Sequence, residues 1–278
     1  MRSLCGKQRQ TMNTFYANYH THTRRCGHAE GTEEDYIRAA LSGGWKILGF
    51  SDHVPWPYAG GFQNPTVRMP IGELEDYVAS LRLLREKYRD ELKIYIGFEC
   101  EYFPEYISWL RETKEKYALD HLILGNHFED TDENGGFYYG GCSEARHIIG
   151  YTERVLRGME TGLFCCLAHP ELFLKDYPAF DATAKDCARE ILTAAKEKHL
   201  PVEYNLQGFR ISAKGRSAGV GYPYRGFWEL AAEIGSTAVI GMDAHAPEEL
   251  LEEEPYAAAQ ALLAELGVPV LKTLKGLT

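Results

Sequence analysis

The sequence predicts an α/β fold in which parallel strands close into one barrel. Three observations carry that prediction. From residue 15 onward, short apolar runs alternate with amphipathic stretches, the pattern of βαβ units feeding a parallel sheet. Seven or eight such units follow one another without a break in composition, which favours a barrel over an open sheet. No Gly-x-Gly-x-x-Gly follows a strand, which counts against a dinucleotide-binding sheet. At 278 residues and 45% apolar composition, the chain can bury a core of barrel size.

Taken in order, residues 1–13 lack periodicity and read as a loosely ordered leader, with the barrel domain spanning 14–278. The run from Phe15 to Tyr19 is the first strand. Thr32 is a suitable N-cap for a helix whose first turn is acidic and whose stop signal is Gly43-Gly44. Trp45 to Phe50 reads as a buried second strand. After a Gly/Pro-rich loop from Val54 to Pro70, Leu74, Tyr77, Val78, Leu81 and Leu84 recur at helical spacing. Lys93 to Phe98 is the third strand, Pro104 opens a helix through Tyr117, and Ala118 to Leu124 is the fourth strand. Ser143 is expected to cap a helix through Met159, with a fifth strand from Leu163 to Ala168. Asp181 caps a helix through Lys198, and Pro201 to Tyr204 is the sixth strand. A short helix from Phe227 to Ile234 precedes the seventh strand, Ser236 to Ile240. Pro247 starts a Glu-rich helical segment, Ala257 to Leu266 forms the last helix, and Val268 to Leu271 reads as an eighth strand or an outer tail.

Composition excludes several classes of function. With 30 basic and 40 acidic residues and no basic stripe, the chain is a poor nucleic-acid binder or ligand for anionic membranes. No apolar run is long enough to span a bilayer, and residues 1–10 lack the apolar core of a signal peptide. The seven cysteines are irregularly spaced with no Cys-x-x-Cys, which predicts reduced thiols and a cytoplasmic protein.

Chemistry concentrates after the strands. His20, His53, Glu99, His127, His169 and Asp243 each fall within a few residues of a strand end, on the segments that converge at one rim of a (β/α) barrel. In extended backbone, residues i and i+2 point the same way, so His20-x-His22 and Asp243-x-His245 can each aim two side chains at one place. They lie side by side if the first and seventh strands meet at closure. With His28, the candidates His20, His22, His28, His53, Glu99, His127, His169, Asp243 and His245 exceed what one ion uses, so two or three divalent ions are expected. Glu99 is suited to bridge them. Histidine-rich ligation favours zinc, with iron or manganese next, over magnesium or calcium. His121, His147 and His199 lie elsewhere and read as structural or solvent-facing.

His-Thr-His-Thr-x-Arg-Cys-x-His-Ala at 20–29, Ser-Asp-His at 51–53, Glu99, His127, Ala-His-Pro at 168–170 and Met-Asp-Ala-His at 242–245 resemble the PHP (polymerase and histidinol phosphatase) superfamily. The first stretch most resembles its histidinol-phosphatase branch, and the resemblance runs from about residue 18 to 245. It implies a distorted (β/α)7, TIM-like barrel and a trinuclear site. One ion would be held by His20, His22, Glu99 and Asp243, a second by Glu99, His127 and His169, and a third by His28, His53 and His245. It also implies two basic groups on phosphate. Arg210 matches one, and Lys175 stands where an arginine is expected, without the bidentate fork.

The implied activity is hydrolysis of a phosphomonoester by ion-activated water attacking phosphorus, with L-histidinol phosphate as substrate and histidine biosynthesis as setting. Asp52, beside His53, is a candidate proton donor or, preferably, an orienting group. Another phosphorylated metabolite is the alternative substrate. An amidohydrolase-like barrel is disfavoured because Glu99 and His127, not a lysine, follow strands three and four. A non-catalytic metal- or phosphate-binding module is disfavoured by the full ligand set.

Other residues carry weaker signals. Cys26, between two candidate ligands, is a possible thiolate ligand but reads better as a small packed residue. Trp56, Tyr58, Tyr138, Tyr139, Tyr222 and Tyr224 are candidates for a pocket wall. Arg68 and Arg154 are able to reach a phosphate, with nothing local to single either out. Oligomeric state is not legible.

Overall fold

A computed structural model describes residues 15–277, so the expected leader lies outside the described residues. Seven parallel strands pair in sequence order, β1 (Ala17–Asn18), β2 (Ile47–Phe50), β3 (Lys93–Cys100), β4 (His121–Leu124), β5 (Cys166–Leu167), β6 (Val202–Asn205) and β7 (Ala238–Gly241). The hoop closes at the mouth through a single parallel bridge, Thr21 to Ala244, so the predicted adjacency of the first and seventh strands holds. The result is one domain, a distorted TIM-like barrel of seven strands with helices packed outside it.

Local chemistry explains most boundaries. Helix α1 (Glu33–Gly43) starts in a Thr32/Asp35 capping box and ends at left-handed Gly44. Helices α2 (Leu74–Lys87) and α3 (Ile107–Lys116) follow, the latter preceded by a 3-10 turn that Pro104 opens. Helix α4 (Ala145–Glu160) begins after Glu144 with no side-chain cap, so Ser143 does not have the capping role expected of it. Asp181 does cap α5 (Ala182–Glu197), accepting the Ala184 amide. An unpredicted helix, α6 (Leu206–Ala213), starts directly at the end of β6, with Asn205 accepting the Gly208 amide as its N-cap. Helices α7 (Arg225–Ile234) and α8 (Glu253–Leu266) complete the shell.

Strand alternation divides the core in two. On β3, Ile94, Ile96 and Phe98 pack outward against the helices, whereas Tyr95 joins Ala17, Tyr19, Ile47, Ile123, Cys166, Ala168 and Val239 inside the barrel. His121 occupies the middle of the barrel, in space left by two glycines. A Cβ on Gly49 would meet its Cε1 at 3.2 Å, and one on Gly97 at 2.7 Å. It is buried and hydrogen-bonded to Ser51 Oγ at 3.0 Å, a structural role as expected.

The C-terminal segment takes the second of its two expected forms. Val270 bridges Ala238 of β7 only once, and among the described residues no eighth strand forms, so 268–271 is an outer tail. The chain then turns under the barrel, where Leu274 and Leu277 join the interior cluster and close its floor. Among the described residues, every cysteine is free and no helix is long and apolar enough to cross a membrane.

Candidate metal centre

The strands deliver all of the sequence-predicted ligands to one end of the barrel. Glu99 is the hub. It lies on β3 itself, not beyond its end as expected, because pairing with β4 carries that strand through Cys100. Its Oε1 is 2.6 Å from His169 Nε2 and 3.2 Å from His127 Nε2. Its Oε2 is 3.1 Å from His53 Nδ1 and 3.4 Å from both His20 Nε2 and His22 Nε2. Gly125 makes room for it, since a Cβ there would stand 1.9 Å from Glu99 Oε1. Asp243 Oδ1 lies 3.2 Å from His22 Nε2 and 3.4 Å from His20 Nε2. The His245 ring stacks on His22 at 4.4 Å, and His28 completes the set from the solvent side, 4.9 Å from His245 and 5.3 Å from His53.

The donor set fits divalent ions. Asp243 Oδ1 and His53 Nδ1 are buried and stand close to opposite partners, yet neither makes a hydrogen bond of acceptable geometry. His20 and His22 bring their Nε2 atoms to within 3.1 Å of each other. Side chains so arranged aim at shared points between them, as ligands do. Several trios, including His20–His22–Asp243, His20–Glu99–His169 and His22–His53–His245, bring their donor atoms close enough to hold an ion. Electrostatics agree. Burial alone would raise the Glu99 carboxyl, but the charges of His127, His20 and His53 hold it well below the usual carboxylate range. Burial and the charge of His22 together push His245 down to about 3, which leaves its imidazole neutral and free to ligate.

Behind the ligands stands a layer that the sequence did not reveal. Glu203 accepts a hydrogen bond from His20 Nδ1 at 2.8 Å, another from the His169 amide at 3.1 Å and a third from Asn205 Nδ2 at 2.8 Å. Asn205 Nδ2 also donates to Asp243 Oδ2 at 3.0 Å. Glu101 accepts from His127 Nδ1 at 3.1 Å. Such acceptors fix the imidazole tautomer, so that the remaining nitrogen faces the metal. The signal for them was the inward alternation of β3 and β6, which puts Glu101 and Glu203 in phase with Glu99 and Asn205. Two backbone conformations are also strained at this rim. His169 and Asp243 both have positive φ, 28° and 45°.

Three expected site residues stand behind or beside the cavity. Asp52 is fully buried, and both its oxygens are taken by Thr23, through the amide and the hydroxyl at 2.8 Å each. It therefore braces the His20–His22 loop and does not reach the cavity. Lys175 is paired with Asp176 at 3.0 Å, and Arg210 with Glu252 at 2.8 Å and the Met242 carbonyl at 2.9 Å. Neither is among the residues that line the cavity over the centre, but Arg210 Nη1 bonds the cavity residue Gln207 at 3.3 Å and its Nη2 is buried without a hydrogen-bond partner. Arg68 and Arg154 are likewise engaged, the first by Glu101 and Asp132 and the second by the Tyr102 carbonyl. Cys26 packs under the loop, its sulfur 4.0 Å from His28 Nε2. Burial would raise its thiol, but hydrogen bonding to His22 and His28 brings it down to about 6.

Above the centre is a cavity of about 270 Å³. Besides the ligands, Thr66, Val67, Phe128, Tyr138, Leu172, Ile211, Tyr222 and Gln207 line it, with no lysine or arginine among the described residues. Of the aromatic candidates, only Tyr138 and Tyr222 reach its wall. Trp56 and Tyr58 pack under the loops against Tyr106, Tyr139 against Tyr151, and Tyr224 against Phe180.

Comparison with known proteins gives concordant results. The family model for the PHP domain matches residues 18–207. A Deinococcus radiodurans protein named probable histidinol-phosphatase is 27% identical over 249 residues, covering 85% of this chain and 89% of its own. A Schizosaccharomyces pombe protein of the same name is 24% identical, covering 83% and 81%. Among solved structures, the histidinol phosphate phosphatase of Lactococcus lactis, complexed with zinc, L-histidinol and phosphate, superposes with a TM-score of 0.71 at 18% identity. It covers 94% of this chain and 97% of its own.

Proposed function

We propose, from the premise that this chain belongs to the PHP domain family, that it is a metal-dependent phosphomonoesterase whose substrate is L-histidinol phosphate. The observation that carries the reading is the convergence of His20, His22, His53, His127 and His169 on the two oxygens of one buried carboxylate, Glu99, at the floor of a small cavity. The substrate follows from the relatives' names, and the product complex of the Lactococcus protein supports both substrate and zinc.

Two or three divalent ions, zinc first, go with this reading. His20, His22, Glu99 and Asp243 would hold one, Glu99, His127 and His169 a second, and His28, His53 and His245 a third. When bound, they supply Lewis acidity for water at neutral pH and for the phosphoryl oxygens. The chain's own part is orientation and exclusion. Glu203, Glu101 and Asn205 fix the ligands, Asp52 braces the first loop through Thr23, and Phe128, Tyr138 and Tyr222 shield the reacting end from bulk water. With no cationic side chain lining the cavity among the described residues, the ions would carry most of the phosphate charge. Arg210, whose Nη2 is buried without a hydrogen-bond partner, stays the chain's own candidate for a phosphate contact, with Lys175 the weaker one. Action in the cytoplasm goes with the free thiols.

The test pairs metal analysis with phosphate release from L-histidinol phosphate and a panel of other phosphomonoesters. The reading expects bound zinc and a kcat/KM for L-histidinol phosphate well above the panel. Even turnover of the whole panel would leave a phosphomonoesterase of other specificity, and no turnover by zinc-loaded protein would remove the enzyme reading.

A further inference from the structure

Two loops form one wall of the cavity. The 54–70 loop contributes Thr66 and Val67, and the 125–142 loop contributes Phe128 and Tyr138. They follow different strands and are joined by a buried polar network with Arg68 at its centre. Arg68 is only 2% exposed. Its Nε and Nη2 grip Asp132 of the other loop at 2.8 and 3.1 Å in a bidentate pair. Its Nη1 and Nη2 also reach Glu101 at 3.2 and 3.1 Å, and Nη1 donates to the Val54 carbonyl at 3.1 Å. Asn64 Nδ2 adds a bond to Asp132 at 3.1 Å, and the Ala59 amide one to Glu133 at 2.8 Å.

Glu101 is shared. Besides Arg68 it accepts from Trp56 Nε1 at 3.0 Å and from His127 Nδ1 at 3.1 Å. A continuous chain therefore runs Asp132, Arg68, Glu101, His127, Glu99, from the 125–142 loop behind the cavity wall to the hub of the metal centre. A guanidinium this buried would be costly if it served only to fasten loops on a surface where exposed pairs do the same. Its planar fork suits it to span two carboxylates on separate segments.

We propose that Arg68 is a positioning residue that links the wall formed by the two loops to the metal ligand His127. It does so by holding Asp132 on one side and, on the other, Glu101 in the place where it orients the imidazole. The proposal rests on the metal-centre reading above but not on the identity of the substrate.

Three variants separate the two arms of the link. Asp132→Asn weakens the loop side only. It is expected to speed amide hydrogen exchange across 54–70 and 125–142 and to raise KM for L-histidinol phosphate, with kcat and zinc affinity unchanged. Glu101→Gln acts first on the ligand side, and is expected to lower zinc affinity, read by competition with a chromophoric chelator, about 10- to 100-fold. Because Trp56 and Arg68 also bond Glu101, exchange in 54–70 should rise somewhat, while exchange in 125–142 should rise less than in Asp132→Asn. Arg68→Met should show both effects, and if it does not fold, the other two variants still decide. Identical profiles for Asp132→Asn and Glu101→Gln, or wild-type zinc affinity in folded Arg68→Met, would overturn the proposal. If the wild-type protein has no turnover while exchange and zinc behave as expected, the substrate assignment fails and the link stands.

Discussion

The two ends of the barrel are built from the same strands to opposite rules. At the mouth, Glu99, Asp243, His20, His22, His53 and His169 are buried, with orphaned atoms, mutual close approaches and two positive φ angles among them. At the floor, Tyr95, Ile47 and Ile123 pack against Leu274 and Leu277 with no charge among them. Groups held in strain or without partners are kept at a stability cost when a ligand satisfies them, whereas an apolar plug is favourable by itself. The difference assigns chemistry to one end and folding to the other, and each half of that assignment can be broken separately.

The largest effect is expected at the mouth. His22→Ala should lower kcat/KM by about 10³-fold or more, since ion-based charge stabilisation of several kcal/mol would go with the lost zinc. Its urea midpoint, compared in metal-free proteins, should be equal to or above wild type, because the substitution relieves crowding among like-charged or unpaired imidazoles. A marked loss of metal-free stability would show the mouth to be a folding element after all. At the floor, Leu274→Ala should cost about 2–5 kcal/mol by the cavity rule, with zinc content and turnover per folded molecule unchanged. Altered zinc content there would blur the division.

A third test sits between the two layers. Burial lowers His121 from the ordinary imidazole value of 6.5 to about 4. The folded state thus binds fewer protons than the unfolded one between those values, so this contribution to stability is full above pH 6.5 and is lost as pH falls toward 4. The expected loss is about 3 kcal/mol, from 1.36 kcal/mol per pKa unit. Urea unfolding of metal-free protein at several pH values should show it, and His121→Gln should flatten that part of the profile. An unchanged profile would mean that His121 titrates normally and the middle layer is wetter than its burial indicates.

How much could be read in advance follows the same division. His20, His22, His169 and Asp243 were legible because their residue types are rare inside a protein and their place after strands is set by topology. Arg210 and Lys175 were less so, because a motif gives position along the chain but not the direction of a long flexible side chain, and Glu252 and Asp176 each engage part of one. Helix α6 was missed because Asn205 ends a strand and caps a helix at once, leaving no loop signal between them. Glu101, Glu203 and Arg68 look like surface charges in sequence, and only the pairing of strands and loops shows that they are buried. Val268 to Leu271 reads as a strand or an outer tail because it is an apolar run, whereas Leu274 and Leu277, which close the floor, stand beyond it as an isolated pair that sets no period.

One consequence lies in how the hoop is fastened. Between the first and last strands the backbone supplies one bridge, Thr21 to Ala244, with bonds from the His22 amide to the Ala244 carbonyl at 3.0 Å and from the Ala244 amide to the His20 carbonyl at 3.4 Å. The Asn18 side chain adds one by accepting the Met242 amide at its Oδ1 at 2.9 Å. His20-x-His22 lies on one lip of that seam and Asp243-x-His245 on the other. Whatever draws His22 and Asp243 to a common point also works as a clasp across the joint where the ring closes. An ion held there would couple occupancy of the centre to closure of the barrel.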